Sequence, residues 1–189
     1  MVTVVLDETC AGVLVSDFYG ADTRSAGGHQ YCWAHLLRDI HELTEQHSTD
    51  ASLWGWATAV RTILTAAQAG ATGTLAERWP VRRQAEADLR TLCSPWLETT
   101  GAQTTLGRRL VTQRSHLFVF GTDPAVPATN NAAERSLRPL GVARKISGGT
   151  RSARGTNTRL TLASLFGTWR AQGRNPYDAC VALLQSPAF

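Results

Sequence analysis

Apolar positions along this chain follow two different periods, and the change between them sets out its elements. Gly12-Val13-Leu14-Val15-Ser16 is a short run rich in β-branched residues that ends in Asp17 and the turn-forming Gly20. That pattern predicts a buried strand with Asp17 at its C-terminal tip. After Gly27-Gly28, His29-Gln30-Tyr31-Cys32 predicts a second, brief strand. From Trp33 to about His47 the spacing becomes helical, with Leu36, Ile40 and Leu43 on one face. Leu53, Ala57, Val60, Leu64 and Ala67 repeat that period, as do Ala85, Leu89, Leu92 and Trp96. Ala69-Gly70-Ala71-Thr72-Gly73 separates the two helices, and Gly121-Thr122-Asp123-Pro124-Ala125-Val126-Pro127 reads as a loop returning the chain to its main body.

Beyond that loop a helix is expected from Asn131, with Ala133, Leu137 and Leu140 on one face and Pro139 ending or kinking it. Ser147-Gly148-Gly149-Thr150 reads as flexible and is flanked by cations. Leu162, Leu165, Phe166 and Trp169 predict an amphipathic helix, and Asn175-Pro176 starts the last one with proline in its first turn. The class is α/β and mostly helical. Residues 1–48 form a partial core, residues 49–125 an all-α insert, and residues 126–189 a set of C-terminal core helices.

Composition limits what this arrangement does. At 189 residues and 43% hydrophobic content, the chain suffices for one ordinary core, or for one core with an inserted subdomain. There is no run of about 18 apolar residues, and Met1-Val2-Thr3-Val4-Val5-Leu6 lacks a charged leader, so a soluble, cytoplasmic protein with no membrane partner is expected. Cys10, Cys32, Cys93 and Cys180 lack the paired spacing of a disulfide framework, which predicts reduced and mostly buried thiols.

Charge is more informative in its distribution than in its sum of +4. Residues 1–100 hold seven arginines against twelve acids, a balance of −5, while residues 101–189 hold eleven arginines and Lys145 against three acids, a balance of +9. From Arg135 to Arg174 there is no acid, while Arg135, Arg138, Arg144, Lys145, Arg151, Arg154, Arg159, Arg170 and Arg174 recur. A nucleic-acid backbone is the partner that best fits such a stretch, although a solvated basic face has the same composition.

Two carboxylates stand out as candidate metal ligands, each with a structural reading beside the chemical one. Asp17 at a strand end is where open sheets place ligands, but aspartate also closes turns. Glu134 lies in Asn130-Asn131-Ala132-Ala133-Glu134-Arg135. There Asn131-x-x-Glu134 fits a capping box, and Glu134 to Arg138 has ion-pair spacing, together about 1 kcal/mol of helix-start energy. His29, Cys32 and His35 spell H-x-x-C-x-x-H, yet a tetrahedral zinc site draws on two separated pairs and no second pair is present, so zinc is not expected. Nothing in its surroundings marks Cys32 as a nucleophile.

The order of the segments adds what single residues lack. Val13-Leu14-Val15-Ser16-Asp17-Phe18-Tyr19-Gly20-Ala21, then His29-Gln30-Tyr31-Cys32-Trp33-Ala34-His35-Leu36-Leu37-Arg38, then Asn130-Asn131-Ala132-Ala133-Glu134-Arg135-Ser136-Leu137-Arg138-Pro139, Arg144-Lys145 and Asn175-Pro176-Tyr177-Asp178 resemble transposases of the insertion-sequence 66 family. The resemblance implies a DDE-type, RNase H-like core with a helical insert between the second and third catalytic acids. Asp17 matches the second acid and Glu134 the third, both as ligands of magnesium or manganese. Cys32 and His35 match a C-x-x-H feature expected to support local structure. Arg135, Arg138, Arg144, Lys145, Arg151, Arg154 and Arg159 are the expected DNA contacts, with transposon ends as the DNA and a homo-oligomer in the intact family.

The first acid of the triad is expected to be absent. Asp7-Glu8-Thr9 looks like its surroundings, but the nine residues between Asp7 and Asp17 are too few for the intervening strands, since strands average about five or six residues each. Asp7 is expected in a helix or loop before the Asp17 strand. The reading that follows is a C-terminal transposase fragment, inactive alone in DNA cleavage and strand transfer, with poorly covered strand edges: either a remnant of a disrupted mobile element, or a piece whose remaining strands come from a separate N-terminal segment. The alternatives are a non-catalytic nucleic-acid-binding module derived from a transposase, or a helical interaction protein whose basic tail is solvated.

Overall fold

The computed structural model describes residues 12–18 and 28–186. The expectations for Asp7, Cys10 and Gly20 lie outside those residues. Two compact units divide the chain, Met1–Asn130 and Asn131–Phe189.

In the first unit, strands β1 (Val13–Ser16) and β2 (Gly28–Tyr31) pair in parallel, with Val13 opposite Gly28 and Ser16 opposite Tyr31. The Cys32 N–H extends the ladder to the Ser16 carbonyl at 2.8 Å. Among the described residues the sheet has two strands, and β1 is half-buried apart from the buried Ser16, not buried throughout as its apolar run predicts. Among the described residues, β2 covers one edge of β1.

Four helices build the core on this pair. Helix α1 (Trp33–Gln46) buries Trp33, Leu36, Ile40 and Thr44, one stripe at helical spacing. Helix α2 (Ala51–Ala69) starts at Asp50, whose carboxylate accepts the Leu53 N–H at 3.0 Å, and buries Leu53, Trp56, Ala57, Val60, Leu64 and Ala67. Helix α3 (Leu75–Cys93) opens with a capping box in which the Thr74 N–H donates to Glu77 Oε2 at 2.8 Å and the Glu77 N–H donates to Thr74 Oγ1 at 3.4 Å. Its buried face is Arg78, Ala85, Leu89 and Cys93, and Trp96 falls in a 3-10 turn just beyond it.

Helix α4 (Thr104–Leu117) has no counterpart among the predicted elements. Its apolar face is thin, Leu106, Leu110 and Leu117 among threonines and arginines, with Gly107 inside it, so the period is weak in sequence. Burial makes it helical: these three leucines join Phe118 and Phe120 in the core shared with α1, α2 and α3. Arg78 is almost fully buried and donates from Nε to the Gly121 carbonyl at 3.0 Å and from Nη2 to the Phe120 carbonyl at 3.2 Å. A buried cation is tolerable there because carbonyl oxygens replace the water it loses.

The second unit holds α5 (Asn131–Ser147), α6 (Ala153–Ala171) and α7 (Pro176–Leu184). Helix α5 runs through Pro139, so of the two expected effects the proline does not end the helix. Proline removes the N–H that would meet the Arg135 carbonyl, and both residues are exposed, so that carbonyl is not a buried orphan. The expected apolar face of α5 is not buried either: Leu137 is 61% exposed and the helix buries no side chain. On α6 only Trp169 is buried, beside Phe166 at a ring separation of 5.8 Å, while Leu162 is exposed.

Helix ends here are defined locally. Gly148 and Gly149 have φ of 66° and 97°, and the Gly149 N–H reaches back to the Arg144 carbonyl at 3.0 Å, closing α5 as a left-handed cap. Ser152 Oγ accepts the Gly155 N–H at 3.1 Å to start α6. Asn175 accepts the Tyr177 N–H at 2.9 Å to start α7, with Pro176 at the first helical position as predicted.

Candidate active site and basic surface

Asp17 follows the last residue of β1, at the carboxyl end of a parallel pair, and is half-buried. The residues around it are placed by the register of the strands. Ser16 Oγ donates to the Asp17 carbonyl at 2.8 Å and lies 2.9 Å from His29 Nε2, both side chains being buried. A hydroxyl has one proton to give, so His29 donates from Nε2 in this arrangement. On the other side Phe18 stacks on Tyr31 with centroids 4.4 Å apart and planes 11° from parallel. His29 packs on Tyr31 at 4.4 Å, and His116 approaches both rings edge-on. The Arg109 guanidinium sits 5.1 Å from the Phe18 centroid and donates from Nη1 to Asp39 Oδ2 at 2.6 Å. Asp17 is thus flanked by a hydrogen-bonded serine and a stacked aromatic ring, both of which limit backbone movement.

Sequence reasoning does not single out Ser16, Tyr31, Arg109 or His116. The last two lie on α4, which had no detectable period, while Ser16 and Tyr31 become neighbours only through the parallel register.

Cys32 is fully buried and joins three segments. Its N–H donates to Ser16, its carbonyl accepts from Leu36 at 3.5 Å, and its Sγ accepts the Asn130 N–H at 3.3 Å. The neighbouring Trp33 N–H donates to the Ala128 carbonyl at 3.0 Å. Through its backbone N–H and its thiol together, Cys32 therefore ties the strand carrying Asp17 to the segment just before α5. His35 lies half-buried on α1. Gln30, fully buried, donates to the Tyr31 and Leu117 carbonyls at 2.7 and 2.9 Å and accepts the Phe120 N–H at 3.1 Å, so its amide is fully engaged.

Glu134 belongs to the second unit, exposed in the first turn of α5. Asn131 is itself the first helical residue, which shifts Glu134 one position beyond what a capping box with Asn131 as cap requires. Among the described residues no group of three or more His, Cys, Asp or Glu side chains is placed to hold a metal ion.

The cations of the basic run are presented outward. Arg135, Arg138, Arg144, Lys145, Arg151 and Arg154 are exposed, and Arg159 is half-buried with Nη1 3.5 Å from Ser147 Oγ. Arg135, Arg138 and Lys145 share one face of α5 by their spacing. Arg144 and Arg159 line a cleft of about 520 Å³ within the second unit, together with Thr150 and Thr156, whose hydroxyls are hydrogen-bonded to each other.

No helix among the described residues is long and apolar enough to cross a membrane. Comparison with curated proteins and with solved structures finds no match. The family model described as Transposase IS66 family matches residues 2–158, a span containing both strands, the helices α1 to α5, Asp17, Glu134 and every cation from Arg135 to Arg154. With most of its length covered by that match, the chain belongs to the IS66 family of transposases.

Proposed function

We propose that this chain is a transposase segment acting in DNA transposition, in which Asp17 and Glu134 are two of three acids of a metal-dependent phosphodiester-cleaving site of RNase H-like design. The observation that carries this reading is the family match over residues 2–158, which takes in both acids and most of the basic run. Asp17 supports it locally, because open parallel sheets collect ligands at the carboxyl ends of their strands. Residues 49–125 are read as the helical insert between the two acids, with residues 1–48 and 126–189 as the core on either side.

Carboxylate oxygens are the donor type that hard divalent cations take, so Asp17 and Glu134 suit magnesium or manganese in kind. Two such ions, when bound, activate the attacking water or 3′-hydroxyl and stabilise the leaving oxygen. The chain's own residues supply position. Ser16 and the Phe18–Tyr31 stack fix the backbone from which Asp17 presents its carboxylate, and Glu134 is offered from the exposed first turn of α5. Arg135, Arg138, Arg144, Lys145, Arg151, Arg154 and Arg159 hold the phosphate backbone of transposon-end DNA. Cys32 and His35 support the local structure.

Two matched acids leave the triad one short. The first is proposed to come from a separate transposase segment, so the 189-residue chain alone is not expected to cut DNA. Incubating the purified chain with terminal-repeat DNA and magnesium tests this. Cleavage that disappears in Asp17→Asn would sink the proposal that it is inactive alone. Duplex binding is expected to be salt-dependent, to survive Glu134→Gln, and to weaken when Arg151 and Arg154 are both changed to alanine.

A further inference from the structure

The insert carries a basic cleft that the C-terminal cations do not account for. Trp79, Arg82, Arg83, Glu86 and Arg90 of α3 follow one another at intervals of three, one, three and four residues, so they share a helix face. With Ala87, Thr91 and Arg114 of α4 they line a cleft of about 550 Å³. Four arginines against one carboxylate is the reverse of the charge balance of residues 1–100, where twelve acids outnumber seven arginines.

The arginines of this cleft are in two different conditions. Arg82 is committed: Nε donates to Glu86 Oε1, Nη1 to Thr122 Oγ1 and Nη2 to the Ser115 carbonyl, each at 2.8 Å, with the guanidinium 5.6 Å from the Trp79 ring centre. It forms a rigid floor and neutralises Glu86, the one acid in the cleft. Arg83 and Arg90 are exposed, and their guanidinium groups make no hydrogen bond or ion pair among the described residues. Arg114 donates only to the Val111 carbonyl at 2.7 Å. Trp79, 48% exposed, leaves a large apolar face beside them.

We infer that this cleft is a second DNA-binding surface, in which Arg83, Arg90 and Arg114 hold phosphates along one strand whose sugar or base packs on Trp79. Arg83 and Arg90 are two turns apart, about 10.5 Å along the helix axis at 1.5 Å per residue. That is about three nucleotides of strand at roughly 3.4 Å of rise each. Free guanidinium forks match phosphate oxygens two at a time, and an exposed indole beside them is the platform that nucleic-acid grooves use. The choice of DNA as the polyanion rests on the proposed transposition chemistry.

The test is equilibrium binding of the full chain to a fluorescein-labelled random-sequence duplex and to its single strand, as a function of salt. The variant Arg83→Gln/Arg90→Gln, in which both exposed cations are replaced, is expected to bind roughly tenfold more weakly at low salt, with a log–log salt slope shallower by about 2. Arg83→Lys/Arg90→Lys is expected to keep the slope. A larger loss on the single strand would place a base on Trp79, and equal losses would place the backbone there. Unchanged affinity and slope of the glutamine variant on both probes overturns the inference. Arg151→Ala/Arg154→Ala separates the two readings. If only the insert variant weakens binding, the cleft stands without the tail; if only the tail variant does, the cleft falls.

Discussion

Trp33 donates its indole N–H to the carbonyl of Leu117 at 2.6 Å, across 84 residues of sequence. Gln30 gives that same oxygen a second hydrogen bond at 2.9 Å. Leu117 is the last residue of α4, where a helix leaves carbonyls without partners, and β2 together with the start of α1 supplies the donors. The His29-Gln30-Tyr31-Cys32-Trp33 segment thus latches the end of α4 onto the strand beside Asp17.

Replacing Trp33 with phenylalanine removes the N–H and leaves a smaller ring in a fully buried position. A loss of about 2–4 kcal/mol is expected in a urea titration, from the buried hydrogen bond and the space the indole vacates. Gln30→Leu leaves the Phe120 N–H buried without its acceptor and is expected to cost a similar amount, about 2–4 kcal/mol. The double variant should lose less than the sum, since both residues serve one oxygen.

Cys32→Ala removes the acceptor of the Asn130 N–H and opens space in a fully buried position, so about 1–3 kcal/mol of destabilisation is expected. If the thiol acts as a strap and not as a metal ligand, the melting temperature of the unaltered chain should be the same with added zinc and with a zinc chelator. A rise with zinc would overturn that assignment, because a ligand of the folded state stabilises it.

Cys93 provides a pH-dependent prediction. Burial pushes its thiol up to about 11 from the ordinary 9.0, with the Trp56 indole partly offsetting the shift. The unfolded chain therefore loses this proton first as pH rises, binds fewer protons than the folded chain, and is favoured between the two values. Stability should decline from pH 9.0 toward 11, with an upper bound of roughly 3 kcal/mol from this group at about 1.4 kcal/mol per unit. Cys93→Ala is expected to be less stable near neutrality and to show a flatter decline in that window, read by denaturant titration at each pH. Below pH 9.0 the thiol should resist alkylation until the chain unfolds.

Gly149 has φ of 97°, where a side chain is strained whatever the space around it. Gly149→Ala is expected to weaken the end of α5 by about 1–2 kcal/mol and to increase hydrogen exchange at the 149 amide, whose partner is the Arg144 carbonyl. Gly141, which lies inside α5 with nothing within 4 Å of an added Cβ, is a matched control: Gly141→Ala should stabilise slightly.

Much of the local structure was legible in the sequence because it depends on neighbours in the chain. The strand before Asp17, the helices at Leu36–Leu43 and Leu53–Ala67, the glycine-rich breaks and the Asn175-Pro176 start all follow from periods and turn residues. So do the uneven charge and the ordered blocks that carry the family resemblance. Helix α4 was not legible, because three leucines spread among threonines and arginines become a face only when a core exists to receive them. The passage of α5 through Pro139 and the exposure of Leu137 were likewise outside local pattern, since they depend on whether anything packs there. Tertiary structure alone decided the surroundings of Asp17: the parallel register set Ser16 opposite Tyr31, and folding brought Arg109 to Phe18 and Cys32 to Asn130. Period, capping and charge act over a few residues and are written in order along the chain; register and burial join residues far apart in it, and only the folded chain brings them together.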